Sequence, residues 1–419
     1  RHSHIALRYP AALERIFISP AQHQLHHSRN PRHFDRNFGV VLAIWDRLLG
    51  SFHPSTHEEI SFEGKRVGII GTGSTAVQAI PIIAESASKL VVFQRTPNFS
   101  APRCNGPLDP EYESRVKRMY PEWREKQRNS FGGYVSVNFQ PLEPNPNAGA
   151  DMTEEEILEE FESRWRSGGL SFYTSFHDLL INEKVNKKLG DFFRDKIRAK
   201  IKDPAKADLL VPKDYPVLTK RLCADTNYYE TFNHEHVRIV DISETPIERF
   251  SESGITTIQD SFELDQIILA TGFDAVTGAL VSMTIKGIDG KTLSDTWADG
   301  PRTNAGLMTN GFPNMFFVNG PGSCTGFFNP VLNVEYQGEW FAELIKHMDE
   351  NGYRSVNSSA QGDEYWVDHM AEVAKPTLFW NSENWYIGAN VPGKSRVMLL
   401  YLGGFPAYRK FTNEQAALA

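Results

Sequence analysis

The run Lys65-Arg66-Val67-Gly68-Ile69-Ile70-Gly71-Thr72-Gly73-Ser74-Thr75-Ala76-Val77-Gln78 governs how the rest of this chain reads. Its first six residues are short, β-branched and apolar, the pattern of a strand buried on both faces. Gly71-Thr72-Gly73 breaks that pattern. From Ser74 to Ala84 a helix is expected despite Pro81, with Ala76, Val77 and Ile80 on one face, and Lys89-Leu90-Val91-Val92-Phe93-Gln94 reads as a second strand parallel to the first. Together these pieces make a right-handed βαβ unit. In that setting Gly71 permits the tight turn, Gly73 lets backbone approach a pyrophosphate, and the small Ala76 allows close helix–strand packing. The helix N-terminus adds free N–H groups and a partial positive charge. A dinucleotide is the expected ligand; the alternative is a glycine turn that serves packing alone.

The residues just after the second strand select the dinucleotide. An NAD site places an acid about twenty residues on, to accept the ribose 2′-hydroxyl. Here Gln94-Arg95-Thr96 holds that place. A guanidinium grips a 2′-phosphate with two hydrogen bonds, where a carboxylate would repel it. NADP is therefore expected over NAD; the plainer alternative makes Arg95 a solvated charge at a strand end.

Outward from this unit, residues 98–149 are rich in Pro, Asn and Gly and read as an irregular excursion. Residues 154–166 and 185–202 carry charged, helix-period patterns, so a helical insertion over residues 100–215 is expected. Strand patterns return at Val237–Val240 and Asp265–Leu269. From Ala279 the pattern is mixed, with Gly/Pro loops at 300–330 and 388–406. The fold class is α/β: a Rossmann-like domain with a helical insertion, followed by a further C-terminal part.

The 419 residues, 23% charged and 12% aromatic, have globular composition and length for two to three domains. Cys104, Cys223 and Cys324 are too few and too scattered for a disulfide scaffold or a four-cysteine zinc site. No run of about 18 apolar residues occurs, so a membrane-spanning helix is not expected and the cytoplasm is the expected location. The charge is uneven. Residues 1–57 hold seven Arg, no Lys and three acids, a net +4, and eight of the 13 histidines; the remainder carries −12. Such a break points to two pieces of different origin. The basic piece has neither a Lys/Arg run nor interleaved aromatics, which argues against nucleic acid. The sequence begins with Arg1 rather than Met.

Six stretches, in order, carry a resemblance. They are Gly71 to Gln78; Phe93-Gln94-Arg95-Thr96-Pro97-Asn98; Thr219-Lys220-Arg221 followed by Asn227-Tyr228-Tyr229-Glu230; Ala270-Thr271-Gly272-Phe273-Asp274; Gly311-Phe312-Pro313-Asn314 with Gly320-Pro321-Gly322-Ser323; and Trp385-Tyr386-Ile387-Gly388-Ala389-Asn390. From Phe62 to Tyr408 the chain resembles the latter two-thirds of a flavin-dependent Baeyer–Villiger monooxygenase. The resemblance implies NADPH and FAD as cofactors, O₂ and a small ketone as substrates, and a flavin C4a-peroxide that turns the ketone into an ester or lactone. It implies Arg221 as the catalytic cation beside the peroxide. It places cofactor contacts at Gly71, Thr72, Gly73, Ser74, Thr75, Gln78, Arg95, Thr96, Lys220 and Trp385, with Lys220 and Arg95 on the 2′-phosphate. Without its flanking matches, the plainer alternative for Lys220-Arg221 is a surface basic pair. His177, His234, His236, His347 and His369 stand in no catalytic pattern and are read as structural or solvated.

The family's earlier glycine turn for FAD, the Asp that works with the active-site Arg, and its F-x-G-x-x-x-H-x-x-x-W fingerprint are not found in these residues. The expected FAD site is thus incomplete and the chain alone is expected to be impaired or inactive. Before the NADP unit stands Gln22-His23-Gln24-Leu25-His26-His27, in which His23, His26 and His27 share one face if helical and suit iron or zinc. Together with Asp35-Arg36-Asn37-Phe38-Gly39 and Trp45-Asp46-Arg47, this resembles the C-terminal end of the sterol desaturase / fatty acid hydroxylase family, membrane di-iron enzymes. A vestigial fragment is the expected reading. The domain expectation is a His-box fragment at 1–57, an NADP-binding domain at 58–280, and the C-terminal part of a split FAD-binding domain at 281–419. The alternatives are a truncated di-iron hydroxylase fused to a non-catalytic NADP-binding remnant, or a product of fusion.

Overall fold

The computed structural model describes residues 61–138 and 140–416. The chain divides into two units, Arg1–Ser61 and Phe62–Ala419, and the described residues belong almost wholly to the second. Strand β1 (Arg66–Ile70) leads through the glycine turn into helix α1 (Ser74–Ser86), which returns to β2 (Lys89–Gln94). After the insertion come β3 (Val237–Asp241), β4 (Ile247–Ser251), β5 (Gly254–Thr257), β6 (Ser261–Glu263) and β7 (Gln266–Leu269). The main sheet runs β7-β1-β2-β3, parallel throughout. All four of its strands stand where the sequence pattern put them.

A parallel sheet needs cover on both faces, and alternation along the strands supplies two apolar surfaces. Val67, Ile69, Leu90 and Val92 pack with Ala76, Val77 and Ile80 of α1 and with Phe172, Leu189, Phe193 and Ile197 of the insertion. Ile70, Val91, Phe93 and Val240 pack instead with Ile255, Phe262 and Leu264 of the antiparallel β6-β5-β4 sheet. Each Val, Leu, Ile or Phe among them contributes about 1.5–3 kcal/mol when fully buried. This double cover holds the C-terminal ends of β1 and β2, where the candidate site lies.

The stretch 98–149 departs from its irregular reading. It contains helices α2 (Pro110–Arg118) and α3 (Tyr120–Asn129), neither with a buried residue. With no apolar stripe, their periodicity gave no signal. The Asp109 side chain nevertheless accepts from the Glu111 N–H, with Pro110 in the first turn, a start signal that was present. Helices α4 (Glu154–Ser167) and α5 (Glu183–Lys200) confirm the helical insertion. Beyond Leu269 the chain relies on helices, chiefly α6 (Pro330–Glu350), α7 (Ala360–Ala374) and α8 (Phe405–Ala416). Among the described residues of that part, β pairing is confined to isolated bridges. Its core gathers Phe328, Leu332, Phe341, Trp366, Met370, Phe405 and Tyr408. No helix among the described residues is long and apolar enough to cross a membrane.

Candidate dinucleotide site

The two glycines of the turn answer to different constraints. Gly71 sits at φ +108°, and a Cβ there would stand 2.3 Å from the Ala270 carbonyl oxygen, so only glycine fits. Its N–H donates to the Phe93 carbonyl at 2.9 Å. Gly73 has φ −77°, open to any residue, yet no atom lies within 4 Å of where its Cβ would be. That free space lies at the N-terminus of α1, which no side chain caps. Its first N–H groups therefore face outward with the positive end of the helix dipole. Ser74, Thr75 and Gln78 are exposed around this first turn. The buried Thr72 hydroxyl donates to the Thr96 carbonyl at 2.8 Å, tying the turn to the loop after β2.

Two cations approach the same place. Arg95 is exposed at the end of β2, and Lys220 is half-buried on a turn closed by the Thr219 hydroxyl, which donates to the Pro216 carbonyl at 2.7 Å. The preceding Leu218 is buried at φ +70°, a costly conformation for a branched side chain. Burial first, and the Arg95 charge second, push the Lys220 ammonium below the ordinary lysine range, with Glu383 opposing. Glu383 itself is engaged by Arg396 at 2.7 Å. Neither Arg95 nor Lys220 makes an ion pair among the described residues. Two like charges held together, with the nearby Glu383 carboxylate engaged by Arg396, are arranged to receive an anion.

Arg221 is exposed beside them. Burial pushes the Tyr173 phenol up to about 12, while the Leu222 N–H and the Arg221 charge hold it down; the Tyr386 phenol is raised by burial and opposed by Arg221 likewise. Trp385, half-buried, packs on Tyr386 with ring centroids 4.1 Å apart. Arg221 is thus electrostatically coupled to the aromatic patch that carries Trp385. Cys223 joins the two halves of the site: its sulfur lies 3.2 Å from the Ser74 hydroxyl, accepts from Asn98 Nδ2 at 3.3 Å, and stands 3.8 Å from the Arg221 carbonyl. Sequence reasoning missed Cys223 and Tyr215, because neither belongs to a local pattern.

The NADP fit rests on the uncapped helix, the open space at Gly73 and the unpaired cations. FAD fits less well. Among the described residues no second helix of comparable length follows a glycine turn off a parallel strand. Within Gly320–Ser323 the fully buried Ser323 hydroxyl has no partner among the described residues, but a lone orphan does not make a flavin site. His236 bonds the Ala84 carbonyl, His369 bonds the Tyr401 hydroxyl, and His347 lies beside Asn351, all structural contacts. Among the described residues no group of three His, Cys, Asp or Glu is placed to hold a metal. His23, His26 and His27 lie outside the described residues.

This fold and site define an α/β dinucleotide-binding protein, and comparison with known proteins narrows the class. The chain is 39% identical over 355 residues to 2-oxo-Δ³-4,5,5-trimethylcyclopentenylacetyl-CoA monooxygenase of Pseudomonas putida, covering 84% of this chain and 64% of that protein. It is 38% identical over 363 residues to acetone monooxygenase (methyl acetate-forming) of Gordonia sp. strain TY-5, covering 86% and 67%. The crystal structure of OTEMO in complex with FAD and NADP superposes with a TM-score of 0.82 at 38% identity, covering 87% of this chain and 67% of that one. The chain belongs to the Baeyer–Villiger monooxygenase family. It spans about two thirds of the length of the curated relatives it matches. Residues 1–51 separately match the family model for fatty acid hydroxylase.

Proposed function

We propose that this chain carries the NADPH-binding domain (58–280) and the C-terminal part of the FAD-binding domain (281–419) of a ketone-oxidising monooxygenase acting in the cytoplasm. The observation that carries the reading is the closeness of Arg95 and Lys220, neither in an ion pair among the described residues, on loops tied to an uncapped helix N-terminus through Thr72–Thr96 and Ser74–Cys223. In this reading the N–H groups after Gly73, with Thr72, Ser74, Thr75 and Gln78 around them, hold the pyrophosphate. Arg95, Thr96 and Lys220 hold the 2′-phosphate, where a neutral ribose hydroxyl would leave two cations facing each other. Trp385 lines the nicotinamide side. Arg221 supplies a fixed positive charge where oxygen chemistry places negative charge. FAD, when bound, would pass two electrons from NADPH to O₂, so that one oxygen atom enters a small ketone to give an ester or lactone and the other leaves as water.

The described residues are proposed to suffice for binding NADPH. The test is a purified preparation scanned for flavin absorbance, assayed for metal, and titrated with NADPH and NADH. Preferential NADPH binding supports the reading, and ketone-dependent NADPH consumption would extend it to full activity. Equal affinity for the two nucleotides contradicts it. A second reading rests on the family match at residues 1–51: His23, His26 and His27 are the remnant of a di-iron box. Stoichiometric iron lost on substituting these histidines would support it.

A further inference from the structure

Resting on the reading of Arg95 and Lys220 as the 2′-phosphate clamp, we propose that Tyr215 is the positioning residue that sets the distance between these two cations and so fixes the preference for NADPH over NADH. Its two ends reach the two sides of the clamp. The Lys220 ammonium sits over the Tyr215 ring, 4.5 Å from the centroid. The phenolic oxygen lies 3.1 Å from the Pro97 carbonyl and 3.2 Å from Asn98 Oδ1, donating to one or the other, and it accepts from the Phe99 N–H at 3.3 Å. Pro97 and Asn98 directly follow Arg95-Thr96. One rigid, two-torsion side chain thus spans from the loop bearing one cation to the ammonium of the other.

Tyr215 is itself held. It is buried, and its ring meets Phe99 edge-on with centroids 5.3 Å apart. A lysine would otherwise swing freely on its four-carbon stem and turn away from a neighbouring guanidinium. A ring face attracts an ammonium most strongly where water is excluded, and it stabilises Lys220 in place without neutralising it. A carboxylate in the same role would cancel the charge that the phosphate needs. Tyr215 touches neither nucleotide nor substrate in this arrangement and acts only through Lys220 and the 95–98 loop.

The test compares NADP⁺ and NAD⁺, which differ only in the 2′-phosphate, by calorimetric titration of the full chain. Tyr215→Leu removes both ring and hydroxyl and should lower the NADP⁺/NAD⁺ affinity ratio about tenfold, leaving NAD⁺ binding near its starting value. Tyr215→Phe keeps the ring and should lower the ratio only about threefold. Should Tyr215→Leu fail to fold, Tyr215→Phe decides the matter. A purely packing role would weaken both nucleotides in proportion and leave the ratio unchanged, which would overturn the inference. Wild-type protein with no preference for NADP⁺ would instead overturn the clamp itself and this inference with it.

Discussion

From Arg66 to Leu269 the chain builds on a four-stranded parallel sheet covered on both faces, whereas from Gly278 to Ala416 it builds on helices packed over glycine- and proline-rich loops. In the first part the site groups are fixed by bonds within the part: Thr72 to Thr96, Ser74 to Cys223, Tyr215 to Pro97. In the second, Trp385 and Tyr386 are placed by aromatic packing, and Lys394 reaches back to Asp274. The groups proposed to bind phosphate therefore form with the sheet, while the aromatic side depends on how the helices settle. Binding of the nucleotide and the oxygen chemistry are expected to be separable by substitution.

The largest effect should come where the two parts meet. In a flavin-reconstituted preparation, Arg221→Ala should lower ester formation about 100- to 1000-fold, read by product chromatography. NADPH affinity should stay largely unchanged; loss of both together would merge two functions that these parts keep separate. Within the first part, the two glycines should respond oppositely. Gly71→Ala forces a Cβ against the Ala270 carbonyl at a positive φ and should destabilise the fold by about 3 kcal/mol, seen in denaturant melts. Gly73→Val should leave the melts nearly unaltered yet weaken NADPH and NADH alike, because the side chain fills the open space proposed for the phosphates.

The second part carries its own signature in pH. Asp363 is buried, accepts from the Asn310 N–H at 2.7 Å, bonds the Ser358 hydroxyl, and is pushed up to about 6 by burial. A carboxyl raised above its unfolded value favours the fold when protonated, so this contribution is present below pH ~4 and lost as the pH rises through ~6. Asp363→Asn should therefore be more stable than the wild type at pH 8, by about 2–3 kcal/mol, with the gap closing below pH ~5. A gap that does not vary with pH would mean that this carboxyl titrates normally. The NADPH/NADH ratio should not change, since Asp363 lies in the other part.

The same contrast explains which features are legible in the sequence. Val67 to Ile70 and Leu90 to Phe93 announce strands through composition alone, and the turn between Gly71 and Gly73 carries its own constraint, so the βαβ unit and its cofactor class can be read directly. Helices α2 and α3 bury nothing, and start signals, Asp109-Pro110 for the first and Pro121 for the second, are what mark them. The β4–β6 sheet is hidden because Glu248, Arg249, Phe250 and Ser251 are all exposed, which leaves no alternation to follow. Tyr215 and Cys223 are tied to the glycine turn and the loop after β2 by contacts across more than a hundred residues, and Leu218 is marked by backbone strain, neither of which periodicity reports.

The central claim is that the guanidinium after β2 and Lys220 grip a phosphate that NADPH has and NADH lacks. The most direct measurement is the affinity of the wild type and of Arg95→Ala for NADP⁺ and NAD⁺, by titration calorimetry at one fixed ionic strength. The wild type should prefer NADP⁺ by at least about tenfold, and Arg95→Ala should bring that ratio close to unity by weakening NADP⁺ alone. Parallel losses for both nucleotides, or a wild type indifferent to the 2′-phosphate, would contradict the account.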